Sequence, residues 1–397
     1  MKTKKTSNII LRTTDDEHTT IKLKSQLFNK KKSDYLRHTA LSHWELPSDT
    51  AHFKTLLKTY TEGNDLVKEE VVSLLFHYYR KHGFPYTVLN DEEKENRLNR
   101  VIKSTKVLLE DDELQSNHQG VDLANSFHPH MMSAYYKRGD NSPLDTFNND
   151  EGLRDCINRW LELEKTPNHS GMRRILKTRD KTRGVVNWKP VIAKVIYDTY
   201  VPEDGKVLDP CAGYGGRLVG CIASGRNILY HGIDPNGETA VGNMRIASFF
   251  SKQYDIFEER VYKYRYRFDL GCAEEVMPGL QRNSYDVVFS SPPFFNTEIY
   301  SSSKSQSSHM YEKYKEWREK FLYVLVDESK RLLKEGGKLV LNVKNLQYAK
   351  IADDLVEYCS RDWNLEKTYK MRLANSEFFR KKNNSYHVEP IFVFSKK

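Results

Sequence analysis

Between residues 186 and 397 the apolar residues come in short blocks: "KVLDP", "LYHGIDP", "YDVVFS", "KLVLNV" and "PIFVF". Each is too short for a buried helix and most are rich in β-branched or aromatic side chains, so each predicts a strand. Amphipathic stretches such as "KFLYVLVDESKRLLKEG" stand between some of them. Strand–helix alternation predicts an α/β domain with a mostly parallel, doubly wound sheet. In such sheets ligands bind at the carboxyl ends of the strands. Upstream the spacing changes. "FKTLLKTYTEG", "LVKEEVVSLLFHYYRKHGF", "RLNRVIKSTKVLLEDDE" and "EGLRDCINRWLELEK" repeat apolar positions at helical intervals. They predict a mainly helical domain over 46–185, with polar loops and no evident task.

Residues 1–45 form a third pattern. "NIILRT" reads as a short strand, "DDEH" as a helix start, and Ser33 in "KKKSDYLRHTAL" as the cap of a second helix. A strand and two helices make a poor core alone, and pairing two copies would complete it. Charge adds to this. The net charge is +9, and residues 1–42 hold ten Lys/Arg against four acids. A basic excess gathered at one end points to a polyanionic partner. The layout resembles a ribbon-helix-helix DNA-binding unit, which implies a homodimer on double-stranded DNA. On that resemblance Asn8, Ile10 and Arg12 share the groove-facing side of the strand, and Lys31, Lys32 and Ser33 meet a phosphate.

Five scattered cysteines form no CxxC pair, so a reducing, cytoplasmic setting without structural zinc is expected. His128-Pro129-His130 has no third ligand at a familiar spacing, so no metal is expected either. No stretch is long enough to cross a bilayer, and no membrane partner is expected.

The strand ends carry the chemistry. "VLDPCAGYGGRLVG" ends a strand at Asp209 and follows it with Gly213, Gly215 and Gly216. The spacing is neither the dinucleotide fingerprint nor a phosphate loop. It resembles the DPxxGxG motif of class I S-adenosylmethionine-dependent methyltransferases. That resemblance implies S-adenosylmethionine as cofactor, a Rossmann-like sheet, and contacts from Asp209, Cys211, Ala212, Gly213 and Gly215. Asp209 would face the methionine end. Asp234 ends the next strand, where an acid can accept hydrogen bonds from both ribose hydroxyls. At the third strand end the adenine contact falls on Cys272 and Ala273. Many relatives have Asp at the position of Cys272, which leaves Glu274 or a backbone group as substitutes. "NWKPVIAKVIYDTY" resembles the motif that covers the cofactor from upstream, with Trp188, Lys189 and Pro190 as contacts.

The fourth strand end reads Ser291-Pro292-Pro293-Phe294. It resembles the (D/N/S)-P-P-(Y/F/W) motif of DNA amino-methyltransferases of the N4-cytosine/N6-adenine type. A base amine is a poor nucleophile because the ring delocalises its lone pair. Acceptors around the NH2 favour a tetrahedral nitrogen and take up charge as the methyl arrives. The resemblance makes Ser291 and the Pro292 carbonyl those acceptors, Pro293 the brace, and Phe294 the ring that stacks on a flipped base. Ser291 is also counted among the cofactor contacts. Serine in the first position favours cytosine N4 over adenine N6. The serine-rich loop that follows, with Glu298 and Tyr300, is expected to be mobile and to order on nucleic acid. RNA base methylation and a DNA-binding regulator with a degenerate methyltransferase fold remain alternatives. These motifs do not say whether a restriction enzyme accompanies such a unit.

Overall fold

The computed structural model describes residues 50–105, 107, 110–115, 117–163, 168–179, 181–251, 265–373 and 388–397. The expected ribbon-helix-helix unit, with Asn8, Ile10, Arg12, Lys31, Lys32 and Ser33, lies outside these residues. The described chain divides into two compact units. The described parts of 50–85 and 144–179 make one of them; the described parts of 86–143 and 181–397 make the other.

The first unit is helical. Helices Thr50–Glu62, Asp65–His82, Asp150–Glu162 and His169–Leu176 bury Leu56, Val71, Leu75, Tyr79, Leu153, Trp160 and Met172. Three of them start on asparagine caps. The side chains of Asn64, Asn149 and Asn168 accept from the N–H groups of Val67, Gly152 and Gly171. Each cap satisfies a donor that the first turn leaves unpaired.

The second unit is built on one sheet. Its strands are β1 (Glu113–Leu114), β2 (Lys206–Asp209), β3 (Leu229–Asp234), β4 (Arg265–Leu270), β5 (Tyr285–Ser290), β6 (Leu333–Asn342), β7 (Trp363–Arg372) and β8 (Val388–Lys396). They lie in the order β1-β7-β8-β6-β5-β2-β3-β4. The chain runs outward from β2 through β3 to β4, then returns to lay β5 on the other side of β2. β6 continues parallel to β5, and β8 is antiparallel to both β6 and β7. This is the expected Rossmann-like α/β sheet, and its topological switch point lies between β2 and β5.

Strand alternation sorts the side chains into two cores. Val207, Val287, Phe289 and Val340 pack on one face with the helix Pro190–Tyr200 and the helix Gly216–Ala223. Leu208, Val288, Leu339 and Leu341 pack on the other with helices Tyr323–Leu332 and Ile351–Cys359. Strands covered on both faces carry near-continuous apolar runs, as the sequence blocks do.

The boundary expected at 185 differs from the observed division. Residues 86–143 pack with the sheet, because Leu98, Val101 and Leu123 share a core with Val191, Ile192 and Leu218. The expected helix "RLNRVIKSTKVLLEDDE" also stops early. The helix Asp91–Ile102 ends there, and Glu113–Leu114 instead pairs parallel with Lys370 and Met371 of β7. A short apolar run fits helix and strand alike, and the open edge of β7 offers unpaired backbone groups. Among the described residues no helix is long and apolar enough to cross a membrane.

Candidate active site at the switch point

The glycine turn and the Ser-Pro-Pro-Phe corner sit side by side at the carboxyl ends of β2 and β5. One residue joins them. Ser290 Oγ accepts from the Cys211 N–H at 3.1 Å and donates to Asp209 Oδ1 at 2.8 Å. Asp209 is fully buried, and its carboxylate also takes Arg217 Nε at 2.7 Å, Arg217 Nη2 at 3.1 Å and the Tyr230 hydroxyl at 2.6 Å. Arg217 reaches on to the Cys211 carbonyl. Asp209 therefore faces inward, to this network, rather than outward to a methionine tail. It holds the turn in place from below.

Within the turn, Cys211 and Ala212 also spend their N–H groups internally, on Ser290 and on the Ile233 carbonyl. Gly213 and Gly215 have φ of 57° and 77°, in the left-handed region that favours glycine. They differ in their surroundings. A Cβ on Gly215 would meet Ile246, Asn243 and His128 within 3.0 Å, whereas one on Gly213 would meet nothing nearer than the Cys211 carbonyl at 3.8 Å. Gly213 thus leaves an open approach along the backbone. Asp234, at the end of β3, is half-buried beside it. Its Oδ2 accepts from Gly213 N–H at 2.9 Å and its Oδ1 from Asn236 N–H at 2.9 Å. Each oxygen keeps a further lone pair. Burial raises its carboxyl to about 6, with those two N–H groups acting the other way.

The upstream segment lies flat on the turn. A Cβ on Gly216 would stand 2.3 Å from the Trp188 carbonyl, so only glycine lets the two backbones meet. Asn187 Nδ2 donates to the Tyr214 carbonyl at 2.7 Å. The Trp188 ring packs between the Arg217 guanidinium and Phe289, and its buried Nε1 has no protein partner. Lys189 and Pro190 have other tasks. Lys189 Nζ donates to the Arg372 carbonyl at 2.8 Å, and burial brings its ammonium down to about 8. Pro190 is buried as the first residue of its helix. Cys272 and Ala273 are buried after β4; Cys272 Sγ lies 3.3 Å from the Ser305 carbonyl, and burial pushes its thiol up to about 12. Glu274 is bound by the Tyr311 hydroxyl at 2.8 Å.

The corner itself separates its two phenylalanines. Phe295 has φ of 54°, uncommon for a bulky residue. Its ring is buried against Tyr314 and Trp317, at centroid distances of 5.7 and 6.0 Å, and this packing holds the bend. The bend leaves Phe294 half-exposed, with Lys344 Nζ 5.4 Å from its ring centroid. Ser291 Oγ donates to Asn342 Oδ1 at 3.0 Å. Lys344 is in turn paired with Glu389.

The serine-rich loop closes over this region. Gln306 clips it, accepting from Tyr300 N–H at 3.1 Å and Ser301 N–H at 2.8 Å and donating to the Glu298 carbonyl at 3.0 Å. The Tyr300 hydroxyl donates to Glu298, and its ring lies 6.1 Å from that of Tyr214 in the glycine turn. Burial raises the Glu298 carboxyl, while Tyr300 and Lys344 oppose the rise. Tyr214 presents a buried hydroxyl with no protein partner. The residues of the expected histidine pair also border Tyr214. His128 Nδ1 meets the Ala124 carbonyl at 2.9 Å and His130 Nε2 meets Thr239 at 3.0 Å. Arg217, Ser290, Asn342, Lys344 and Gln306 were not singled out by sequence. Only Arg217 carried a local signal, directly after the paired glycines.

The open backbone at Gly213, the lone pairs of Asp234 and the orphaned polar atoms of Trp188 and Tyr214 fit a nucleoside cofactor with several donors and acceptors. Residues 285–397 match a DNA methylase family model of the N6/N4 type. The match spans less than a third of the chain and is to a methyltransferase family, whose methyl donor is S-adenosylmethionine. No curated protein matches the chain. Among solved structures it is similar to TrmN from Thermus thermophilus, at 15% identity and a TM-score of 0.37, covering 52% of this chain and 49% of that one. The chain thus spans about half the length of TrmN. It is also similar to an O-methyltransferase from Thermotoga maritima, at 12% identity and a TM-score of 0.33, covering 54% and 67% of the two chains. An rRNA methylase from Streptococcus thermophilus shows 10% identity and a TM-score of 0.33, with 54% and 99% covered.

Proposed function

We propose that this chain methylates DNA at the exocyclic amine of a base rotated out of the duplex, cytosine N4 in preference to adenine N6. The observation that carries the reading is the Ser290 bridge, which sets the Ser-Pro-Pro-Phe corner against the open glycine turn. S-adenosylmethionine supplies an activated methyl group on a sulfonium. Asp234 accepts from the ribose hydroxyls. Ser291 Oγ and the Pro292 carbonyl accept from the target NH2, so its lone pair turns toward the methyl carbon. With the amine so held, the sulfonium would give up its methyl group to the nitrogen and keep the bonding pair, and one N–H proton would pass to water. Phe294 stacks on the extruded base, and positioning supplies much of the rate. Labelled methyl transfer to duplex DNA and to RNA, followed by nucleoside analysis, tests the reading. Label in N4-methylcytosine of DNA supports it, and label in N6-methyladenine keeps the amine reading but overturns the preference for cytosine. Label only in RNA, or none with cofactor bound, overturns it.

Asp234 gives a pH signature. Its carboxyl titrates at about 6, so cofactor affinity is expected to fall as pH drops from about 7 to about 5, when the protonated group loses an acceptor. The folded chain holds this proton more tightly than the unfolded chain, so protonation here favours folding and the loss cannot arise from unfolding at Asp234. Calorimetric titration across this range should show the fall in wild type and a flat, weak profile in Asp234→Asn. A flat wild-type profile would remove Asp234 from the ribose.

We further propose that the basic N-terminal segment adds duplex affinity, presented twice by a dimer. Replacing Arg12 and Lys31 with alanine removes four cations from the dimer and is then expected to weaken duplex binding and to reduce the salt slope by about 4. An unchanged slope would assign the segment another task.

A further inference from the structure

Asn342 is the last residue of β6, is 1% exposed, and stands between Ser291 and Pro390. Its amide can be oriented by exclusion. The Pro390 carbonyl only accepts, so the group 2.9 Å from it must be the Asn342 NH2. The Asn342 carbonyl oxygen then faces Ser291 Oγ at 3.0 Å. Two oxygens at that distance need a proton between them, and only the serine hydroxyl has one. The hydrogen of Ser291 is therefore committed to Asn342, and the oxygen turns only lone pairs toward the pocket.

From this geometry we infer that Asn342 is a positioning residue that fixes the hydrogen-bond polarity of Ser291. The inference rests on the amine-methylation reading above. A serine hydroxyl normally rotates to suit its neighbours and can donate as readily as accept. A hydroxyl that donated to the target nitrogen would occupy the lone pair that must attack the methyl carbon. Held by Asn342, Ser291 can only accept from the N–H, which favours a tetrahedral nitrogen and frees its lone pair. β8 sets the polarity of the whole chain of bonds: Asn342 pairs with Ile391 in the antiparallel ladder, which brings the Pro390 carbonyl to the amide.

The test is a double-mutant cycle on the full-length protein, with methyl transfer to duplex DNA and cofactor binding measured separately. Ser291→Ala and Asn342→Leu are each expected to lower kcat about tenfold or more, with the cofactor Kd within about twofold of wild type. If Asn342 acts through Ser291, the double variant is no slower than Ser291→Ala alone. Losses that multiply, or a fall in kcat matched by a fall in cofactor affinity, assign Asn342 to packing and overturn the inference. Should Asn342→Leu not fold, Asn342→Asp serves instead. It keeps an acceptor toward Ser291 but faces the Pro390 carbonyl with an oxygen, so stability should drop while kcat is largely retained. Equal collapse of both would count against the inference. A wild-type protein that methylates no base amine fails the underlying reading, which is distinct from an active wild type whose losses multiply.

Discussion

Replacing Phe294 with alanine is expected to lower kcat/KM for base methylation by about tenfold to a hundredfold, the range of ~1–3 kcal/mol measured for base–aromatic stacking. Cofactor affinity and thermal stability should change little. The reason lies in how the corner treats its two rings. Phe295 is buried and anchors the bend, whereas Phe294 is half-exposed and contributes less to the core. Pro292 and Pro293 restrict the backbone that carries it, so the ring is presented with little entropy left to lose. Phe294→Tyr or Phe294→Trp should keep most of the activity, since each retains a π-face. Phe295→Ala makes the contrasting control, because it should lose stability first. If Phe294→Ala transfers methyl groups at the wild-type rate, the stacking role is gone.

The strand ends were legible because backbone chemistry marks them. Prolines stop a ladder, glycines permit left-handed turns, and short apolar blocks between amphipathic helices fix the sheet class. The order of the motifs along the chain therefore pointed to strand ends that the sheet brings side by side. What each side chain faces was less legible. Asp209 was placed correctly at the end of β2, but its partners Arg217, Tyr230 and Ser290 come from a helix and two other strands. No local pattern records that convergence. Lys189 has the same history, since the Arg372 carbonyl it binds lies at the end of β7. β7 itself escaped notice. Its sequence "WNLEKTYKMR" buries Trp363, Tyr369 and Met371 and leaves the charged residues between them largely in solvent, a weak apolar signal. Asn342 and Lys344 matter through neighbours distant in sequence, and polar residues at a strand end look like any others.

The largest effect on stability is expected from Arg217→Met, at about 3–5 kcal/mol, the usual cost of leaving one member of a buried ion pair alone. Asp209 is fully buried and Arg217 is 4% exposed, so water cannot take over the lost contacts. The substitution leaves a carboxylate with only the Tyr230 and Ser290 hydroxyls, and it strips the Cys211 carbonyl of its cation. Denaturant melts of the variant should show the fall directly. Cofactor affinity should fall too, because Arg217 ties the glycine turn to its support and lies under the Trp188 ring. A second substitution separates charge from packing. Adding Asp209→Asn to Arg217→Met removes the uncompensated charge, so the double variant should be more stable than Arg217→Met alone. If it is less stable, the carboxylate is held by its hydroxyl partners, and the Asp209–Arg217 pair is not what supports the turn.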